Sequence, residues 1–190
     1  MTVLTRWPDN SPDTVALRTD DSAEIATELE RVGVRYEQWP LVDLPADASN
    51  DDVLAAYKPQ VDALVADGGY NVVDVAQLHP SDEPGWEETA AGARSKFLAE
   101  HTHSEDEIRF FVEGAGIFYL HLDDSVFAVQ CEAGDLISVP ALTKHWFDMG
   151  TRPDFTALRF FVDPDGWVGN FTADEIALGF PTFDELTATR

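Results

Sequence analysis

The second half of the chain consists of short runs of aromatic and β-branched residues, and this pattern constrains the fold more than any other feature. The runs are Ile108–Val112, Gly116–Leu122, Val126–Cys131, Leu136–Val139 and Phe155–Val162. Turn-forming residues, among them Gly114-Ala115-Gly116 and Ala133-Gly134-Asp135, separate them. Short strands at this spacing predict an antiparallel sandwich or barrel.

The first half predicts helices joined by polar connectors. Asp20, Asp21 and Ser22 can cap a helix that Gly33 ends. A second helical stretch opens near Ser49, and Pro59 divides it into two short helices. A further short helix leads to Phe97.

No repeat or low-complexity linker divides the chain, so we expect a single domain over residues 1–190. Its parts are a mostly helical segment (1–95), a barrel core (96–172) and a C-terminal cover (173–190). The apolar residues expected to pack this cover on the barrel are Trp167, Phe171, Ile176, Leu178 and Phe180.

The chain is strongly acidic: 12 Lys and Arg stand against 36 Asp and Glu in 190 residues, a formal net charge of −24. Nucleic acid and anionic membranes are poor partners for it, because binding them needs a basic face. No apolar run approaches the ~18 residues of a transmembrane helix, and the N-terminus has no signal-peptide core. Cys131 is the single cysteine, which fits a reducing compartment. We therefore expect a cytoplasmic protein.

The residues that carry chemistry are concentrated at the entrance to the barrel region. His101 and His103 point to one face of a strand because side chains alternate, and Glu107 has the same parity. His145 lies at the end of another strand pair. Imidazoles together with a carboxylate suit a divalent transition metal. His79 and His121 lack this context, and we interpret them as hydrogen-bonded structural residues.

The spacing of these residues resembles both signature motifs of the cupin superfamily. Gly114 follows Glu107 in the first block, and Gly134, Pro140 and His145 form the second. Ser95 and Leu142 stand where the motifs usually have glycines, which concerns backbone turns rather than ligands. The resemblance implies an antiparallel double-stranded β-helix, or jelly-roll barrel, preceded by helices.

Three segments resemble acireductone dioxygenase, the metal-dependent cupin of methionine salvage. They are KFLAEHTHSEDEIRFFVEGAGIFYLH (96–121), DLISVPALTKHWFDMG (135–150) and FTALRFFVDPDGWVGNFT (155–172). The resemblance implies one Fe²⁺ or Ni²⁺ per chain, held by His101, His103, Glu107 and His145. It implies cleavage of 1,2-dihydroxy-3-keto-5-methylthiopentene with O₂. The iron form yields formate and 4-methylthio-2-oxobutanoate; the nickel form yields formate, CO and methylthiopropanoate. The resemblance also favours a monomer.

Further residues are assigned around this centre. Arg109 shares the strand parity of Glu107, and the resemblance gives its position the task of generating and holding the substrate dianion; a surface salt bridge is the alternative. Arg159 is a second candidate anion contact. The resemblance implies that Glu100 assists metal incorporation and that Asp106 relays local conformational change. The alternative is that both are plain solvated acids. The candidate apolar wall for the substrate tail, which could equally be ordinary core, is Phe97, Phe147 and Trp167.

Two other functions remain open at this point. One is a metal-binding cupin without turnover, such as a small-molecule sensor. The other is a cupin enzyme with a different substrate, such as an isomerase. The sequence shows no added DNA-binding segment, and the two arginines favour an anionic ligand. The choice between iron and nickel cannot be read from the ligands, because it depends on metal availability as well.

Overall fold

The fold is an antiparallel β barrel with helices on its outside, seen in a computed structural model that describes residues 1–45 and 47–188. The strands are β1 (Val3–Pro8), β2 (Leu17–Thr19), β3 (Arg35–Gln38), β4 (Val72–Leu78), β5 (His101–Thr102), β6 (Glu107–Leu122), β7 (Ser125–Glu132), β8 (Asp135–Val139), β9 (Lys144–Asp148), β10 (Phe155–Phe161) and β11 (Asn170–Phe171). The helices are α1 (Ser22–Arg31), α2 (Asn50–Ala56), α3 (Lys58–Gly68), α4 (Trp86–Ser95) and α5 (Phe183–Ala188), with a 3-10 turn at Ile176–Gly179.

The long strand β6 belongs to both faces of the barrel. Its first part, from Glu107, pairs with β8 and β10, and its second part, Ala115–Leu122, pairs with β7 and β9. All of these pairings are antiparallel. Between the two parts lies Gly114, whose φ of 72° is in the left-handed region. The strand therefore changes sheets at a glycine, and the predicted jelly-roll architecture is confirmed.

Gly114→Ala is expected to destabilise the protein for two reasons, one steric and one conformational. An added Cβ would overlap the backbone carbonyl of Asp154 in addition to straining the backbone. Gly114→Ala should lower the free energy of unfolding by about 3 kcal/mol, measured by denaturant titration. Gly69 has nearly the same φ of 71° but open space around it, so Gly69→Ala should cost only about 1 kcal/mol. Equal losses in the two variants would contradict the steric part of this explanation.

The helices of the first half lie where the sequence predicts them. The Asp21 side chain accepts hydrogen bonds from the backbone N–H groups of Ala23 and Glu24 at the start of α1. Ser49 forms a capping box with Asp52 at the start of α2. Pro59 opens α3, which ends at Gly68 before a left-handed Gly69.

The description of the first half as helices and connectors is wrong in one respect, because it also contributes four strands. β1 pairs with β7, β3 with β8, β4 with β10, and β2 with β1. Strand propensity depends on the neighbours that a strand packs against, so short runs such as Arg35–Gln38 carry little signal by themselves. These pairings join the first half to the barrel and support our proposal of a single domain.

The core is largest between the two faces of the barrel. Phe111 and Ile137 from one face meet Phe118 and Phe147 from the other in one buried cluster. A second cluster packs α2 and α3 on the outside of β6 and β10. No helix among the described residues is long and apolar enough to cross a membrane.

The C-terminal cover packs on the outside of the barrel through fewer residues than expected. Phe180 is buried against Trp7 and Trp146, and Ile176 joins the same cluster. Trp167, Phe171 and Leu178 do not belong to it, since they are 43%, 58% and 83% exposed. An apolar residue type does not by itself fix which side of a loop faces the core. The predicted end of the cover, Thr189–Arg190, lies outside the described residues.

Asp148 ties this cover to the barrel. Its buried carboxylate accepts two bonds from Arg94, at 2.7 and 2.9 Å, and one from the backbone N–H of Phe183 at 2.9 Å. Burial raises the pKa of Asp148, but the bonds from Arg94 and the backbone outweigh it and leave the pKa below its ordinary value. The ionised carboxylate therefore stabilises the fold.

Asp148→Asn should lower the free energy of unfolding by roughly 3 kcal/mol at pH 7. Because the pKa of Asp148 is lowered in the folded state, its contribution is complete above the unfolded pKa of about 3.9 and is lost as the pH falls through the folded pKa. The difference between the wild type and the variant should shrink below about pH 4 in denaturant titrations. A difference that does not vary with pH would contradict this.

Candidate metal centre and active site

Four buried side chains that can bind a metal converge inside the barrel: His101, His103, Glu107 and His145. β5 and β9 place His101 opposite His145, and Glu107 begins β6. One potential ligand atom from each of the four lies within 4.8 Å of all the others. Two atoms bonded to one ion at 2.0–2.2 Å can lie at most about 4.4 Å apart, so small side-chain shifts would let all four bind the same ion.

The three imidazoles are oriented in the same way. In each, Nδ1 bonds to a backbone carbonyl oxygen: His101 to Ala99 at 2.8 Å, His103 to Val168 at 3.1 Å and His145 to Thr143 at 2.8 Å. A carbonyl can only accept, so each Nδ1 carries the proton and Nε2 is left as the ligand atom. The tautomers and the ring directions therefore match metal binding.

Two of the four side chains, His101 and Glu107, have protonation states near neutral pH that suit a metal. Burial and the neighbouring His145 lower the pKa of His101 to about 4, so this imidazole is neutral. Burial raises the pKa of Glu107, but the positive charge of Arg109 and the close imidazoles of His103 and His145 outweigh it and hold the pKa well below its ordinary value. Glu107 is thus a carboxylate. The pKa of His103 is raised: burial lowers it, and the bond to Glu107 more than compensates.

Arg109 lies beside this cluster inside the barrel, not at the surface. One terminal nitrogen donates to Glu107 Oε1 at 2.6 Å. The guanidinium carbon lies 4.5 Å from the ring centroid of Phe147 and 5.1 Å from that of Phe118. Its buried Nε has no partner among the described residues. Such a donor is costly unless a ligand accepts from it.

Arg159 lies next to Arg109 but has a partner of its own. The two residues face each other across β6 and β10, so their side chains share the inner face. Asp74 holds Arg159 through two bonds of 2.8 and 2.7 Å. This pair neutralises the charge that we expected to contact an anion.

The three candidate aromatic residues occupy different environments. Phe147 is buried in the core and contacts Arg109, and the ring of Phe97 lies 6.2 Å from that of His101. Trp167 is 43% exposed on the loop that also carries Val168. Phe97 is therefore beside the metal cluster, Phe147 is beside Arg109, and Trp167 lies at the surface.

Glu100 and Asp106 are partnered, but neither bonds to an imidazole of the metal cluster. Glu100 is buried and bonds to His121 Nδ1 at 2.5 Å and Thr172 Oγ1 at 2.6 Å. Asp106 accepts from the backbone N–H of Ala141 at 2.9 Å, in the turn before His145. Backbone carbonyls orient the imidazoles instead. Every residue type has a backbone carbonyl, so the sequence could not indicate which ones would do this.

The two remaining histidines lie outside the metal cluster. His79 bonds to Asp154 and Thr156, at 2.8 and 2.9 Å. His121 bonds to Glu100 and lies 3.6 Å from Asp9. Both have the hydrogen-bonded environment that their interpretation as structural residues requires.

Comparison with known proteins identifies the family. A family model described as ARD/ARD' matches residues 6–169. The chain belongs to this family. It is 55% identical to an acireductone dioxygenase of Saccharopolyspora erythraea over 190 residues, which are 100% of both chains. It is 56% identical to that of Frankia alni over 187 residues, 98% of this chain and 91% of the relative.

A solved structure agrees with the family. It is an acireductone dioxygenase from Bacillus anthracis with a cadmium ion in its active centre. The TM-score is 0.75 at 30% identity, over 90% of this chain and 98% of the other. The predicted cupin fold and the dioxygenase class of enzyme are therefore confirmed, and the His₃Glu cluster is a site that could hold the single metal ion of this family.

Proposed function

We propose that this family member cleaves 1,2-dihydroxy-3-keto-5-methylthiopentene with O₂ in methionine salvage. His101, His103, Glu107 and His145 would hold one Fe²⁺ or Ni²⁺. When bound, such an ion would be a Lewis acid that polarises an ene-diolate substrate chelating it through two oxygens. The four side chains would leave coordination positions free for those oxygens.

The observation that carries the proposal is the environment of Arg109. A buried guanidinium with a free Nε beside a metal cluster provides positive charge where a substrate dianion would be held. Phe118 and Phe147 flank it with apolar rings, which keep water away and strengthen the electrostatic attraction. In this proposal Arg109 favours loss of the substrate proton and holds the resulting negative charge.

The rest of the pocket would bind the uncharged tail. Phe97 and Phe147 offer apolar surface near the metal cluster, and Trp167, on the loop that carries Val168, would add to it. Arg159 faces Arg109 across β6 and β10 and would be a second contact for the anion, weakened by its two bonds to Asp74. A monomeric state and a cytoplasmic location are part of the same proposal.

Product analysis tests the proposal directly. Apoprotein reloaded with Fe²⁺ and supplied with acireductone and O₂ should give formate and the 2-keto acid. The same protein reloaded with Ni²⁺ should instead give formate, CO and methylthiopropanoate, because the polypeptide is unchanged and only the metal can redirect the reaction. The measurements are headspace CO and chromatography of the acids, against a control without protein.

Two other results would contradict different parts of the proposal. Consumption of substrate with one product set for both metals would contradict metal-controlled branching. No consumption above the uncatalysed rate would contradict the dioxygenase reaction and leave the binding protein or an enzyme with another substrate.

A further inference from the structure

Residues 162–172 form a segment, here called the strap, that lies along the metal-binding segment 100–105. Phe171 and Asn170 of the strap pair with His101 and Thr102 as strands β11 and β5. At its far end the Thr172 backbone N–H donates to the Glu100 carbonyl oxygen at 3.1 Å. The strap therefore follows the His-x-His sequence over its whole length.

The strap also contacts two imidazoles of the metal cluster directly. The Val168 carbonyl oxygen accepts from His103 Nδ1 at 3.1 Å. Gly169 packs on His101 so closely that an added Cβ would lie 3.1 Å from its Cδ2 atom. Movement of the strap would remove the hydrogen bond that fixes the tautomer of His103 and the packing that fixes the ring of His101.

The near end of the strap is held by Glu105, a residue that the sequence analysis does not single out. Glu105 Oε2 accepts from the backbone N–H groups of Val162 and Asp163, at 2.9 and 3.1 Å. A carboxylate that accepts two backbone N–H bonds is a strong anchor. Glu105 Oε1 is buried and has no partner among the described residues.

Gly166 makes room for this carboxylate. The backbone N–H of Gly166 donates to the Asp163 carbonyl at 3.0 Å, so the strap turns back over the side chain of Glu105. A Cβ on Gly166 would overlap Glu105 Oε1 and Cδ. Its φ is not among the positive ones, so the backbone does not require glycine at this position. The requirement comes from Glu105.

We infer that Glu105 is a positioning residue that, seated against Gly166, latches the strap over the metal cluster and slows the escape of the bound ion. Its effect passes through the Val168 carbonyl to His103 and through Gly169 to His101. The inference rests on the proposed metal site but not on the substrate or the products.

Release of Ni²⁺ from loaded protein to a chelator tests the latch. Glu105→Ala, which removes both strap bonds, should release nickel roughly 10-fold faster, the lower end of the range for lost outer contacts of a metal site. Glu105→Gln keeps the shape but replaces a charged acceptor by a neutral one, and should give a smaller increase. Glu83→Gln, at an exposed position far along the chain from the strap, should release nickel at the wild-type rate. The amides of Val162 and Asp163 should lose hydrogen-exchange protection in the Glu105 variants and keep it in Glu83→Gln.

A double-mutant cycle separates the latch from general destabilisation. Gly166→Ala should speed nickel release about as much as Glu105→Ala does, because the new methyl displaces the carboxylate. In the Glu105→Ala background the same change should add little, since the atoms it would clash with are gone. Gly92→Ala is the control for the glycine change, because a Cβ added at Gly92 would have no atom within 4 Å.

Additive effects of Glu105→Ala and Gly166→Ala would overturn the latch, as would release rates equal to the wild type in both. Should the wild type bind no nickel, the metal site and the latch would be overturned together. Nickel binding with unchanged release in the variants would overturn the latch alone.

Discussion

Alanine in place of His101 or His145 should abolish tight metal binding in a protein that otherwise remains folded. Each substitution removes one of four converging ligand atoms and leaves a buried gap that no neighbouring side chain fills with a nitrogen ligand. Nickel content, by elemental analysis after gel filtration, should fall from one ion per chain to near zero. Turnover should drop by more than about 100-fold, since even outer contacts of a metal site are worth 10–100-fold.

His79→Ala is the matched control, because it deletes the same side chain from a hydrogen-bonded position outside the cluster. Its metal content should equal that of the wild type. Circular dichroism would verify that all three variants keep their strand content. Equal loss of nickel from the His79 variant and the cluster variants would contradict the ligand assignment.

Arg109→Met should leave the metal content unchanged and lower turnover by roughly 100- to 1000-fold. Methionine approximates the length of the side chain but removes the charge that would stabilise the dianion, and losing one such electrostatic contact has an effect of this size. Without that charge the bound substrate should need a higher pH to lose its proton. Activity should therefore recover partly as the pH rises, which a kcat profile against pH would measure.

Arg152→Met is the control for this change, because Arg152 is an exposed arginine that lies over the Trp86 ring. Its turnover and pH profile should match the wild type. An Arg109 variant with normal turnover and an unchanged profile would show that the guanidinium acts only as a structural partner of Glu107.

Much of the metal site was predictable because it depends on local rules. The close spacing of His101, His103 and Glu107 and their residue types already indicated a metal site. The structure brings them together without a common strand, since His101 lies in β5, Glu107 begins β6, and His103 lies between the two strands. The helix caps and Pro59 are likewise local, so α1, α2 and α3 begin near their predicted positions.

Leu142, which stands where a cupin motif usually has glycine, shows how local backbone strain is tolerated. Leu142 replaces a glycine and has a φ of 64°, in the region that glycine favours. Its side chain is 72% exposed, so it meets no packed neighbour there. The turn survives because the backbone cost of about 1–2 kcal/mol is not increased by a steric clash.

By itself, the sequence determined the barrel class, the family and the four side chains that could bind a metal, because turn residues and motif spacing act over short distances. Only the tertiary structure decided which partners those residues have. Arg159 is neutralised by Asp74, Glu100 bonds to His121, and three backbone carbonyls orient the imidazoles. These contacts join residues far apart in the chain, or involve backbone atoms that every residue type shares. The same holds for Glu105. In the sequence it is one acidic residue among many, and only the fold brings its side chain against Gly166.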